Sequence, residues 1–362
     1  MNTQPSAPLK KGSPGNGTEH LLVIRLSAMG DVAMTVPVLM TLLRQYPGLE
    51  LTVLSREFFR PVFDGIPRLN FYAADVRGRH KGIRGLYRLY RELKKTGIGA
   101  VADLHHVLRS NMLRIFFRMS GFPVVQIDKG RKEKKALTRS RNKVLKPLKT
   151  THQRYADVFG KLGYSIDMEH PVFRPKEPLG ETVITATGLD AEKTEQGKLI
   201  GIAPFAAFGG KRYPPDLMEK VIAGLDRDGY NILLFGGGEE EIRVLGLLEG
   251  RYRNVTSVAG KLSFREELQL ISNLDVMVAM DSGNAHLAAM YGVKTITLWG
   301  VTHPYAGFYP IGQPKANALL SDREKYPLIP TSVYGKTVPE GYEEVMQTID
   351  PESVSRKIRE LV

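Results

Sequence analysis

Residues 274–300 constrain the fold more than any other stretch. Leu274 to Met280 is an apolar run of strand length that ends in Asp281-Ser282-Gly283. Asn284 to Tyr291 then carries Leu287, Ala288 and Tyr291 at helical spacing, Gly292 stops the helix, and Val293 to Trp299 resumes as a β-branched strand. A carboxylate, a hydroxyl and a glycine therefore occupy the turn where a strand hands over to a helix. In open parallel sheets ligands bind at that C-terminal edge. A helix N-terminus there offers unpaired N–H groups and partial positive charge, which suit a diphosphate. A plain helix cap is the competing reading, and on spacing alone it leads, because Asp and Ser begin helices everywhere. His286, on the helix face five residues after Asp281, adds to the case for a site.

The same alternation runs through the chain. Strands are expected at His20–Leu26, Leu49–Leu54, Asn70–Ala74, Ala100–Leu104 and Val124–Ile127. Helices are expected between them at 32–45, 57–63, 82–96 and 109–119, with another at 152–162. Ser27-Ala28-Met29-Gly30-Asp31 repeats the strand, glycine turn, helix pattern, with a carboxylate at the helix start. Lys176 to Lys198 breaks the pattern with Pro, Gly, Thr and charges and reads as a linker. A second alternation follows, with strands at 199–204, 231–235 and 255–257, helices at 215–226, 239–248 and 264–272, and a closing helix at 351–362. Two successive α/β halves without hairpin signals predict two doubly wound parallel sheets. The expected limits are a disordered tail at 1–19, an N-terminal domain at 20–175, the linker at 176–198, a C-terminal domain at 199–348 and the last helix at 349–362.

The length of 362 residues accommodates both domains. There are no cysteines, which excludes disulfides and thiolate metal sites. Residues 1–19 carry no signal-like segment, and the first apolar run, Leu21 to Leu26, is far too short to span a bilayer. A cytoplasmic protein is expected. The net charge of +13 is unevenly spread: Arg77 to Lys95 holds eight Lys or Arg against Glu92, and Lys129 to Lys149 holds ten against Glu133. The rest of the chain is slightly acidic. Two such runs in one half predict a polyanionic partner, an anionic membrane surface or a phosphorylated acceptor. The rival to an enzyme is a polyanion-binding protein without turnover that uses these segments. Nucleic acid is not expected, because only Tyr87 and Tyr90 interleave the first run and no aromatic interleaves the second. The segment after Ile127 reads as a mobile loop, having little apolar surface to bury.

Gly236-Gly237-Gly238-Glu239 lacks the spacing of a dinucleotide fingerprint, yet lets backbone approach a ligand, with the following glutamates in reach of a ribose. Asp226-Arg227-Asp228 is a turn on the wrong edge of the sheet. No other His, Asp or Glu cluster has metal spacing, so neither metal nor cofactor is expected. Lys211-Arg212 lies above the same sheet edge as Asp281 and supplies cations for a departing diphosphate. Asp31 is the best general-base candidate, although on its own a plain helix cap leads for it too.

With both turns in hand, the chain resembles glycosyltransferase family 9, the bacterial lipopolysaccharide heptosyltransferases. The resemblance is carried by IRLSAMGDVAMTVPVL, DLHHVLRS at 103–110, HQRYADVFGKLG at 152–163, KRYP at 211–214, LFGGGEEE at 234–241, residues 259–292 and IDPESV at 349–354. It implies a GT-B fold, two Rossmann-like doubly wound parallel-sheet domains facing across a cleft. It also implies metal-independent, inverting transfer from ADP-L-glycero-β-D-manno-heptose to the lipopolysaccharide inner core at the cytoplasmic face of the inner membrane. Carried over by position, Asp31 is the base. Lys211, Glu240 (among Glu239 to Glu241), Leu262, Asp281, Ser282, Gly283 and His286 hold the donor. His105, Arg109 and His152 hold the acceptor. Two departures leave the particular donor and acceptor open: 322–341 lacks the cysteines many members carry, and Tyr213 stands where tryptophan is common.

Overall fold

The computed structural model describes residues 19–189 and 198–362. The expected disordered tail, up to residue 18, and residues 190–197 of the expected linker lie outside them. The first sheet comprises β1 (Glu19–Ile24), β2 (Leu49–Ser55), β3 (Leu69–Ala73), β4 (Ala100–Asp103) and β5 (Val124–Gln126). Their order is β3-β2-β1-β4-β5, and every pairing is parallel. The second comprises β6 (Leu199–Ala203), β7 (Asn231–Leu234), β8 (Val255–Ser257), β9 (Val276–Met280), β10 (Lys294–Trp299) and β11 (Ala318–Leu320). It too is wholly parallel, in the order β11-β10-β9-β6-β7-β8. The sequence reading missed β11, a three-residue edge strand too short to show a period.

Central strands are buried along their whole length, as in β6 and β9, because helices cover both faces and leave no polar side to alternate with. The helix Gly82–Lys94 shows how one face is chosen. Leu86, Leu89, Tyr90 and Leu93 are buried at helical spacing, while its arginines stay outside. Each fully buried Leu there is worth about 1.5–3 kcal/mol over exposure. The expected helix at 32–45 is two helices, Met29–Ala33 and Thr35–Gln45, joined at Met34.

The chain divides into two compact units, but not at the expected boundaries. The first holds the chain through Lys129 together with Thr151–Val172, and the second holds Gly130–Thr150 together with Phe173–Val362. Two corrections follow. The cationic segment, read as a mobile loop of the N-terminal domain, packs with the second unit and contains the helix Arg131–Thr138. Its cations anchor it together with Leu137, which is fully buried. The Lys143 ammonium donates to the carbonyls of Leu137, Leu328 and Pro330 at 3.1, 2.7 and 2.6 Å. The Lys134 ammonium lies 4.0 Å from the centroid of the Phe308 ring.

The second correction is that the second unit begins before the expected linker. Arg174 N–H donates to the Met290 carbonyl, and Glu177 accepts from the Tyr291 hydroxyl at 2.6 Å. The helix Glu181–Thr187 lies where only linker was expected. The last helix, Pro351–Arg359, is part of this unit and packs on Pro215–Arg227. No helix among the described residues is long and apolar enough to cross a membrane.

Candidate functional site

Each sheet reverses its winding once, between β1 and β4 in the first and between β6 and β9 in the second. At such a point the loops leaving two neighbouring strands diverge to opposite faces and open a crevice. Asp31 and His105 lie at the first of these points, and Lys211 and Asp281 at the second.

In the first unit the loop after β1 carries Asp31 and the loop after β4 carries His105. Asp31 does not cap its helix. Ala28 holds the cap position, and the Asp31 carboxylate instead forms an ion pair with Arg25, whose side chain is 5% exposed against 28% for Asp31. Arg25 also donates to the Leu104 carbonyl at 2.6 Å, tying the two loops together. Tyr155, fully buried on the helix Thr151–Lys161, donates its hydroxyl to the Asp31 carbonyl at 3.1 Å. Its ring lies 5.8 Å from the Arg25 guanidinium.

His105 is buried, with Nε2 3.4 Å from the Ser27 hydroxyl and its backbone N–H on the Asp103 carboxylate. Burial, then the cations Arg25 and Lys129, push its pKa down to about 4, so the imidazole is neutral at ordinary pH. Its Nδ1 has no partner among the described residues. Of the other two expected acceptor residues, His152 is buried one turn before Tyr155 and Arg109 is exposed on the first turn of the helix Leu108–Met119. The structure thus groups His105 with Asp31, sets His152 on the helix that braces Asp31, and leaves Arg109 outside that group. Sequence reasoning missed Arg25 and Tyr155. A cation at the end of an apolar strand run was the available signal for Arg25; nothing local marked Tyr155.

In the second unit the loops after β6 and β9 meet. The Lys211 ammonium donates to the Asp281 carbonyl and lies 3.4 Å from its carboxylate, with both side chains largely buried. Glycines hold Lys211 in place. A Cβ on Gly210 would stand 2.5 Å from Val301 Cγ2 and 3.0 Å from the Gly335 carbonyl. Gly335, at φ +78°, lies against the stem of Lys211, where a Cβ would come within 2.4 Å of Cγ. The cap reading fails here too: Ser282 occupies the cap position of the helix Gly283–Ala289 but makes no side-chain cap bond, and its buried hydroxyl has no partner among the described residues. Gly283 opens that helix and His286 is buried one turn on.

The loops after β7 and β8 extend the same edge. Glu240 is exposed and forked to Arg243, whereas Glu241 turns back to accept from the Gly237 N–H at 2.8 Å. Leu262 is half-buried, just before the capping Ser263 of the helix Phe264–Ser272. From β9 to β8 is three strand steps, about 14 Å at roughly 4.8 Å each. Lys211, Asp281, Glu240 and Leu262 therefore lie along one sheet edge.

The expectation that no cluster has metal-ligand spacing needs correction. Asp167, Glu169 and His170 bring ligand atoms within 4.8 Å of one another. All three are exposed, away from both reversal points in sequence, and His170 is 3.7 Å from the Asp167 carboxylate.

Residues 86–336 match the family described as glycosyltransferase family 9 (heptosyltransferase). The chain belongs to this family, and it is an enzyme, a heptosyltransferase. Lipooligosaccharide heptosyltransferase 2 of Haemophilus influenzae is 26% identical over 95% of this chain and 99% of its own length. Lipopolysaccharide heptosyltransferase 2 of Escherichia coli K12 is 24% identical over 94% and 98%. Among solved structures, a family 9 glycosyltransferase from Veillonella parvula superposes with a TM-score of 0.71 at 20% identity, covering 95% of this chain and 97% of that one. The E. coli heptosyltransferase WaaC with ADP superposes with 0.65 at 19% identity, covering 95% and 100%. These likenesses give the fold, GT-B with two parallel α/β sheets.

Proposed function

We propose that the chain transfers heptose from ADP-L-glycero-β-D-manno-heptose to the inner core of lipopolysaccharide, with inversion and without a metal. Asp31 acts as general base. The observation that carries this reading is the Arg25–Asp31 ion pair at the reversal point of the first sheet, where a plain helix cap was the competing account. A buried guanidinium fixes one carboxylate oxygen, and the partly exposed carboxylate can take the proton of an acceptor hydroxyl. As that oxygen bonds to the anomeric carbon, the bond from carbon to the diphosphate oxygen breaks and ADP departs. His105, neutral, positions the acceptor from β4, with His152 and Arg109 as further acceptor contacts.

On the second unit Lys211 offsets the negative charge developing on ADP. Ser282 Oγ, the N–H groups from Gly283 onward and His286 hold the diphosphate and sugar, Glu240 takes the ribose and Leu262 packs the adenine. Relatives named lipooligosaccharide or lipopolysaccharide heptosyltransferases, and a solved relative with ADP, support this donor and acceptor class.

The test is a thermal-shift screen of a nucleotide-sugar panel followed by turnover with the best donor. Asp31→Asn is expected to keep donor binding and lose transfer by about 10²-fold or more. Retained turnover in that variant would remove Asp31 from its role. A stronger shift with a UDP-sugar than with an ADP-sugar would change the donor.

A further inference from the structure

The two helices covering one face of the first sheet carry a surface that the transfer reaction does not use. Gly82–Lys94 and Leu108–Met119 pack side by side, with the Tyr87 and Phe116 rings 5.5 Å apart at the seam. Along the first helix and just past its end, Arg84, Arg88, Arg91 and Lys95 recur at i, i+4, i+7 and i+11 and are all exposed. Together with Tyr87 they border an open hollow of ≈ 470 Å³. None of the four pairs with an acid among the described residues. Glu92, the acid at the hollow, is already held by the Tyr72 hydroxyl, His80 and Arg79.

The second helix contains no acid. Its outer stripe is apolar: Leu108 is 78% exposed, Ile115 43% and Met119 82%, at i, i+7 and i+11. On the first helix Ile83, 66% exposed, stands one turn before Tyr87, the residue at the seam. Protruding aliphatic side chains rimmed by cations without counter-charge mark an interaction surface.

We propose that this helix pair is a docking face for an anionic lipid bilayer. Arginines and a lysine meet headgroup phosphates, while Leu108, Ile115, Met119 and Ile83 enter the boundary between headgroups and acyl chains. Charge complementarity favours any polyanion, but the aliphatic stripe selects the lipid. A nucleic acid would call for aromatic platforms, and the face exposes only Tyr87. The inference uses the face alone, so it and the reading of the transfer site can fail separately.

The full chain is floated with vesicles of phosphatidylcholine alone or with about one-third phosphatidylglycerol. Binding is expected only to the anionic vesicles. Arg84→Glu with Arg88→Glu should lower partitioning at least about tenfold at low salt, and Arg84→Lys with Arg88→Lys should restore most of it. Ile115→Ser with Met119→Ser should abolish the part that survives about 1 M salt, where the Debye length is about 3 Å. All these positions are exposed, and an unchanged thermal melt of each variant, followed by circular dichroism, serves as the folding control. Failure to bind anionic vesicles overturns the proposal, as does binding equal to the parent's by both the Arg84→Glu, Arg88→Glu variant and the Ile115→Ser, Met119→Ser variant. So does binding of homopolymer DNA as tight as that of vesicles and indifferent to Ile115 and Met119, which would make the face a general polyanion binder.

Discussion

Lys211 and Asp281 show how much one ion pair decides. Each is largely buried, and each is the other's partner. Lys211→Met is expected to weaken ADP binding by about 10- to 100-fold, the loss of one charge-assisted hydrogen bond of about 1.5–3 kcal/mol. It should also lower the melting temperature, because Asp281 is left without its counter-charge. Adding Asp281→Asn separates the two effects: stability should recover in part while ADP binding, measured by calorimetry, stays weak. Binding that returned with stability would make Lys211 a structural residue only. Asp31 and Asp281 were legible as carboxylates in glycine turns. Their bonding was not: Lys211 was expected on the same edge as Asp281 but not paired with it, because the signal for a buried pair lies in three dimensions and here spans 70 residues.

Two elements carry predictions of their own. On the helix Phe264–Ser272, burial pushes the Glu267 carboxyl up to about 7. The folded state therefore holds a proton that the unfolded chain gives up near pH 4.5, so stability falls as pH rises from about 4.5 to 7 and then levels. Glu267→Gln should remove that slope. It should stabilise the protein by on the order of 1–3 kcal/mol at pH 8 and leave it unchanged at pH 4, read by denaturant melts at the two pH values. His105, with its pKa near 4, acts in the opposite sense and costs stability as pH falls from about 6.5 to 4. The other element is the cationic segment 130–150. Lys143→Met deprives three carbonyls of their donor and is expected to cost about 1–3 kcal/mol. Limited proteolysis should then cut within 131–149 sooner than in the parent. An unchanged cleavage rate would mean that Lys143 does not anchor the segment.

For the whole molecule, two compact units with separate cores do not melt as a single two-state system by necessity. The expected donor residues all belong to the second unit. Calorimetry with ADP at about 100 times its Kd should stabilise that unit's transition by ~2.7 kcal/mol and leave the transition of the first unit in place. A shift of the first unit alone would reassign the donor site. The net charge of +13 is distributed by this division as well: the run at 77–95 stays on the first unit, and the run beyond Lys129 goes to the second.

The sequence by itself determined the strand and helix alternation, the parallel sheets and the positions of the turns that bear Asp31, Lys211 and Asp281. Those features are written in neighbours a few residues apart, as period-2 and period-3.6 burial and as glycines at strand ends. The tertiary structure alone decided that Arg25 binds Asp31, that Lys211 binds Asp281, and that residues 130–150 pack with the second unit. Each is a choice among many chemically equivalent partners. A cation's partner depends on which carbonyl or carboxylate the sheet order brings within a few ångströms, and no local pattern encodes that order.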